Sequence, residues 1–269
     1  MMPLSLSFTS FNDCKMYTMS KYNAMGFGIN SASLENMMFS EESDPGLLIA
    51  FEGMDGSGKT TQQKLLKTCL EGNGEDVIVS KWNSSPLFKD LIKAKKRARL
   101  LDPVLYAVLH AADFRHRLET VIRPSLREGK IVLADRYIFT GITRDVARGI
   151  DRNWTINLYS SVRRPDLVFY FSASPELLAK RIAAYREIKF YEAGQDVTGL
   201  ENSLESFLYF APKVMQEYAK LHRGFGFTIV DARQSISDQH RFIRETYEEY
   251  QTRSQVNPRP LPLPQLMYK

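Results

Sequence analysis

LLIAFEGMDGSGKTTQ, Leu47 to Gln62, reads as a strand, a loop and the start of a helix. The apolar run Leu47–Phe51 has the length and bounding of a buried parallel strand, and it stops abruptly at Glu52-Gly53. Gly53, Gly58, Lys59 and Thr60 then satisfy G-x-x-x-x-G-K-[ST], and Gly56 adds a further position without a Cβ. Such a loop turns its amide N–H groups inward around phosphate oxygens, and the helix behind it adds the positive end of its dipole. Asp55, Ser57 and Thr61 belong to the same cradle. Lys59 is the residue expected to reach a transferring phosphate, and the Thr60 hydroxyl is the residue expected on Mg²⁺. Glycine, lysine and threonine are common enough to match by chance. A strand before the motif and an amphipathic helix after it, with Leu65, Leu66, Cys69 and Leu70 on one face, supply the context that a phosphate-binding loop requires.

Outward from this motif the chain alternates strands with helices. Asp76–Trp82 is a second strand and 86–100 a helix carrying Lys89, Lys93, Lys95, Lys96, Arg97 and Arg99. Pro103 opens a long helix that closes at Glu128-Gly129. Ile131–Asp135 is an apolar strand ending in an acid, where a second carboxylate is expected near the metal, and Arg136 follows it at the ligand-facing edge. Helices follow at 140–148 and 152–162, then a strand at 166–172 and a helix opened by Ser174-Pro175. Residues 187–200, with two glycines and mixed charge, break the pattern. A helix over 201–223 carries Pro212, which is expected to interrupt or kink it. Gly226–Asp231 is the fifth strand and 235–253 the last helix. This order predicts a five-stranded parallel sheet with helices on both faces, a three-layer α/β/α fold of the P-loop NTPase type, binding ligands at the strands' carboxyl ends.

The bulk properties agree. The chain has 269 residues, enough for one α/β domain with appendages, and its 43% hydrophobic and 25% charged residues are those of a soluble globular protein. The net charge of +5 suits anionic small substrates at least as well as nucleic acid, so the basic helix reads first as a solvated face near anionic ligands. Cys14 and Cys69 have no metal-ligand spacing, and no window reaches the ~18–20 apolar residues of a membrane span. Cytoplasmic location is the expectation. Residues 1–46 read as a flexible extension without a secretory or transit pattern, 47–253 as the folded domain, and 254–269 as a Pro-rich disordered tail.

The base-reading and switch motifs of GTP-binding proteins do not occur, and the strand ending Asp135-Arg136 lacks the paired acids of motor ATPases. Taken with Val121-Ile-Arg-Pro124, Gly129–Tyr137, Arg164-Pro-Asp166 and Val230-Asp-Ala232, the phosphate loop resembles the thymidylate kinases over about 47–253. The resemblance implies ATP- and Mg²⁺-dependent phosphorylation of dTMP to dTDP by a homodimer. It assigns Asp55 to the acceptor sugar, Arg136 and Tyr137 to the acceptor side, Asp135 with Thr60 to Mg²⁺, and Arg233, after the fifth strand, to the donor nucleotide. Gly56 stands where some members carry an Arg, and those without it supply a catalytic cation from a lid, here 187–200, with Arg181, Arg186 and Lys189 as candidates. On the acceptor side it aligns the family's base-stacking Phe with His110 and its base-bonding Arg with Phe114, beside Asp113. Arg115 or Arg117 is placed to compensate. Arg144 stands for an expected Tyr, and Lys81 lies in the segment that replaces an Arg-Glu-Pro. Two alternatives stay open: the same chemistry on another monophosphate, and a nucleotide-binding protein without transferase activity.

Overall fold

The computed structural model describes residues 38–40 and 44–256. In chain order the elements are β1 (Phe39–Ser40), β2 (Leu47–Glu52), α1 (Lys59–Gly72), β3 (Val77–Lys81), α2 (Lys89–Arg97), α3 (Pro103–Arg117), α4 (Arg123–Arg127), β4 (Ile131–Asp135), α5 (Ile138–Ala147), α6 (Arg152–Leu158), β5 (Val162–Arg163), β6 (Leu167–Ser172), α7 (Pro175–Ala183), α8 (Phe190–Ala193), α9 (Gln195–Thr198), α10 (Ser203–Phe225), β7 (Thr228–Asp231) and α11 (Ile236–Val256).

Strand β2, the one that runs into the phosphate loop, lies at the centre of the sheet. The order is β3-β4-β2-β6-β7 and every neighbouring pair is parallel, as expected from strands separated by helices. The two-residue period of the strands divides the core in two. Leu48 and Ala50 of β2, Val132 and Ala134 of β4, and Val168 and Tyr170 of β6 face one layer, packed with residues of α3, α5 and α10. Ile49, Phe51, Ile131, Leu133, Phe169 and Phe171 face the other, with Leu66 and Leu70 of α1 and Tyr247 of α11. Each central strand is thus apolar on both faces and bears polar residues only at its carboxyl end. The register sets Phe51 beside Asp135, and Asp135 beside Lys81. The chain crosses from one side of β2 to the other between β4 and β6, and ligands bind at such a switch point.

Five expectations need correction. Pro212 does not end its helix: α10 runs unbroken from Ser203 to Phe225, because Phe207, Phe210, Ala211, Val214, Tyr218 and Leu221 are buried along one stripe and hold it. The helix over 152–162 stops at Leu158, and Val162–Arg163 pairs in parallel with Phe39–Ser40. The extension therefore does not lie wholly outside the fold. Met38 is fully buried, and the Phe39 ring packs edge-on to Phe225 at 5.5 Å and to Phe139 at 6.4 Å. Residues 254–256 belong to α11 rather than to a tail. The rest of both expected tails, 1–37, 41–43 and 257–269, lies outside the described residues. The long helix expected after Pro103 forms as α3 and α4 joined by a π-helical turn over Leu118–Ile122.

Candidate active site

The loop between β2 and α1 uses its glycines as the motif requires. Gly53 has φ of 130° and sits so close to β6 that a Cβ would lie 2.7 Å from the Phe171 carbonyl oxygen. Gly58, at φ of 95°, turns the chain into α1. Gln63 Nε2 donates to Leu133 O at 3.1 Å and Gln62 Nε2 to Ile236 O at 2.9 Å, pinning α1 to β4 and to α11.

The loop opens onto a cavity of about 860 Å³ lined by Asp55 through Gln62, Lys81, Asp135, Arg136, Arg181, Tyr185, Arg186, Lys189 and, on the far wall, Gln234, Ile236 and Gln239. Lys59 is almost entirely buried, and its Nζ donates to Met54 O at 2.6 Å and Ser57 Oγ at 3.2 Å. Burial, reinforced by the charge of Arg136 and opposed by Asp55 and Asp135, brings the ammonium pKa down to about 7. Thr60 Oγ1 donates to Asp135 Oδ2 at 3.2 Å, so the loop hydroxyl and the acid that ends β4 meet as expected.

A second cavity, of about 1160 Å³, adjoins the first and shares Asp55, Trp82, Asn83, Arg136, Arg186 and Lys189 with it. At this junction Arg136 Nη2 donates to Asp55 Oδ1 at 2.7 Å, and Arg144 Nη2 donates to Asp55 Oδ2 at 2.6 Å. Arg136 Nη1 also donates to Gly53 O at 2.6 Å. Burial alone would raise the Asp55 pKa; the charges of Arg136, Arg144 and Lys59 outweigh it and hold the carboxyl well below the ordinary range. The Arg136 backbone has φ of 75°, a left-handed conformation that costs a non-glycine residue free energy and is kept where the surroundings dictate it.

Those surroundings include Glu52, which is fully buried at the end of β2. Its Oε1 accepts from the Tyr137 N–H at 2.8 Å, and its Oε2 accepts from the hydroxyls of Thr140 at 2.6 Å and Tyr218 at 2.8 Å. Burial raises its pKa, while those three bonds and Arg136 pull the other way. One carboxyl thus joins the phosphate-loop strand to the first turn of α5 and to α10.

The segment 187–200, expected as an irregular lid, forms α8 and α9. Arg148 docks it to α5: its side chain is fully buried, Nε donates to Asp196 Oδ2 at 2.7 Å, and Nη2 donates to Tyr191 O at 2.6 Å. Arg186 donates through Nη1 and Nη2 to the two oxygens of Glu192 at 2.7 and 2.9 Å.

Lys59, Thr60, Asp135, Arg136, Asp55, Arg144, Arg186, Lys189, Lys81, Ser57 and Thr61 are therefore brought together around two adjoining cavities, with Gly56 and Gly58 in the loop. Other expected residues are not. Arg115 lies on the surface, donating to the carbonyls of Ser160 and Ser161. Arg233 is exposed and bound to Asp231, and the cavity wall it was expected to form comes from Gln234, Ile236 and Gln239. Arg181, by contrast, does line the first cavity, with Nη2 donating to Ala232 O at 2.8 Å. Tyr137 is buried with its hydroxyl on Arg163 O. His110, Asp113 and Phe114 are buried behind Trp82 and line neither cavity: the His110 and Phe114 rings lie 6.3 and 5.9 Å from the indole. Glu52, Arg148 and Glu192 escaped notice in the sequence; only the acid closing an apolar strand, Glu52, left a local sign.

A parallel sheet whose central strand feeds a phosphate loop, with an acid at the end of the next strand and a guanidinium pair between two cavities, defines a P-loop phosphotransferase. The profile of the family described as Thymidylate kinase matches residues 51–243. The chain is 39% identical over 207 residues to "Probable thymidylate kinase 2" of Saccharolobus solfataricus, covering 76% of this chain and 97% of that protein. It is 33% identical over 205 residues to "Probable thymidylate kinase" of Pyrococcus horikoshii, with 72% and 92% covered. It is 32% identical over 208 residues to the protein of the same name from Thermococcus gammatolerans, with 74% and 94% covered. The chain belongs to the thymidylate kinase family.

Proposed function

We propose that the protein transfers the γ-phosphoryl group of ATP to the phosphate of dTMP, giving dTDP and ADP. The observation that carries this reading is Arg136, which stands with Arg144 at the junction of the loop cavity and a second cavity rich in cations. That arrangement suits an acceptor whose nucleophile is itself a phosphate oxygen. Already anionic at neutral pH, this oxygen needs no general base; it bonds to the γ-phosphorus as the bond to the β–γ bridging oxygen breaks. The loop amides and Lys59 hold the β- and γ-phosphates, Arg136 holds the acceptor phosphate, and Asp55 orients both arginines and takes the acceptor sugar. Arg186 and Lys189 lie at the same junction, placed to offset charge on the equatorial oxygens of the transferring group and, with the segment 187–200, to exclude water.

The residues also fit Mg²⁺. Thr60 and Asp135 offer two hard oxygen donors 3.2 Å apart. That is the pattern for Mg²⁺ held by one or two protein oxygens and the substrate phosphates. When bound there it supplies charge neutralisation on the β- and γ-oxygens.

Lys89, Lys93, Lys96, Arg97 and Arg99 line the second cavity, which supports reading α2 as the surroundings of a small anion. A homodimer built on helices flanking the sheet and a cytoplasmic location complete the proposal; no helix among the described residues is long and apolar enough to cross a membrane. The test is ADP release from ATP and Mg²⁺ with dTMP, dUMP, UMP, CMP, AMP and GMP in turn, with the diphosphate product identified. We expect the highest kcat/KM with dTMP. An inert dTMP beside another active acceptor overturns the assignment.

A further inference from the structure

If the second cavity takes the acceptor, the base needs a flat apolar surface and hydrogen-bonding partners for its edge. Most aromatic surfaces around this cavity are already covered. His110 is buried, and the Tyr106 ring lies on it with centroids 3.9 Å apart. Tyr106 is covered again by the Arg148 guanidinium at 4.2 Å, and two groups so close cannot share one face of a ring. Phe190 carries the Arg99 guanidinium at 4.6 Å and the edge of Tyr191 at 5.0 Å. Tyr191 is buried, with its hydroxyl committed to the Leu101 backbone. Trp82 is also packed, against His110, Phe114, Tyr159 and the Arg117 guanidinium at 5.4–6.3 Å, yet it is half-buried and lines both cavities at their junction.

We propose that Trp82 and Asn83 are the base-reading pair, the indole as stacking platform and the Asn83 carboxamide as partner for the imide edge of a thymine-class base. The turn that carries them is built rigidly. Asp113 accepts from the Asn83 N–H at 3.1 Å and the Ser85 N–H at 2.9 Å. It also accepts from Arg117 Nε at 2.9 Å, and Arg117 Nη1 is held by Ser80 Oγ at 2.7 Å. So fixed, the Arg117 guanidinium supports the indole at 5.4 Å from its centroid. Asn83 itself has φ of 59°, a conformation that Asn and Gly adopt more readily than other residues.

Against this fixed backbone, the Asn83 side chain is uncommitted. Its Oδ1 is buried without a hydrogen-bond partner, an arrangement that costs free energy and calls for a ligand. Rotation of the amide about χ2 exchanges oxygen for nitrogen with almost no change of shape. A carboxamide is complementary to an imide edge, its NH₂ donating to a ring carbonyl while its oxygen accepts from the ring N3–H; a purine with neither atom at that place is not matched.

The chain has two tryptophans, Trp82 and Trp154, so W154F leaves the indole in question as the only fluorophore of its kind. We expect dTMP to change the emission of W154F saturably, in step with its KM, and to leave W82F silent. N83D and N83G both tolerate the left-handed backbone and remove the carboxamide. Each is expected to raise the KM for dTMP about tenfold or more, with kcat nearly kept. A silent Trp82 in an enzyme that turns over dTMP overturns the platform. Variants whose kcat falls equally with every acceptor overturn the edge reader and leave Asn83 a structural residue. Wild-type enzyme inert toward dTMP, but active on a purine monophosphate, refutes the acceptor reading itself.

Discussion

Replacing Asp55 with Asn tests the junction most directly, because two measurable quantities move in opposite directions. The carboxylate lies 2.7 Å from Arg136 Nη2 and 2.6 Å from Arg144 Nη2, and the two arginine side chains are only 10% and 8% exposed. At an effective dielectric of ~20, charges about 4 Å apart attract by ~4 kcal/mol per pair, much of it offset by the cost of burying the groups. Asn keeps the shape and one acceptor but removes the carboxylate that both guanidinium groups share, and losing one partner of such a cluster costs ~3–5 kcal/mol. In a domain of this size 1 kcal/mol is worth about 2–4 °C, so the melting temperature of D55N should fall by roughly 6–20 °C. The same change frees the arginine pair for anions. Inorganic phosphate should therefore raise the melting temperature of D55N more than that of the wild type, since stabilisation grows with ligand concentration over Kd. Transfer to dTMP should nonetheless slow, because the arginines lose the carboxylate that orients them. Differential scanning fluorimetry with and without phosphate, beside the ADP-release assay, reads all three. A melting temperature within about a degree of wild type, or a phosphate response no larger than wild type, would refute the reasoning.

Three further outcomes are expected. If Glu192 acts by holding Arg186, E192Q and R186A should each lower kcat, and the double variant should be no slower than R186A; additive losses would mean that Glu192 serves only the fold of α8. The Lys59 pKa of about 7 must rise when phosphates bind, so ATP binding should take up a proton near neutral pH and weaken as pH rises above 7; calorimetry in buffers of different ionisation enthalpy should show this uptake in wild type and lose it in K59M. Asp145 is buried with its pKa pushed up to about 7 by desolvation, so the native state holds a proton that the unfolded chain releases near pH 4. Its contribution is complete below pH 4 and is lost as pH rises toward 7; D145N should therefore gain more melting temperature relative to wild type at pH 8 than at pH 5.

Sequence reading recovered what depends on local pattern. Leu47–Phe51 followed by the glycine loop, and Ile131–Asp135 followed by Arg136, carry strand, turn and charge within a few residues, and the structure sets them side by side. What escaped depends on contacts between elements distant in the chain. Arg144 was visible only as a departure from a pattern; its role at the junction arises because one turn and a half of α5 returns it to Asp55, 89 residues earlier. The same distance problem hid Arg186–Glu192, where two residues in an irregular stretch meet only because α8 forms. Arg233 misled for the opposite reason. It follows β7 closely enough to look ligand-facing, but the neighbouring Asp231 captures it. The expected base positions, His110 and Phe114, lie buried on α3, where Trp82 from the end of β3 covers them.

Glu52 has a kinetic corollary. Because it draws the Tyr137 amide, the Thr140 hydroxyl and the Tyr218 hydroxyl to one buried carboxyl, neither α5 nor α10 can peel from the central strand without baring that group to an apolar interior. The backbone around Arg136 should then exchange its amide hydrogens only when the whole sheet opens. Heat inactivation and global melting would coincide at the phosphate end of the molecule.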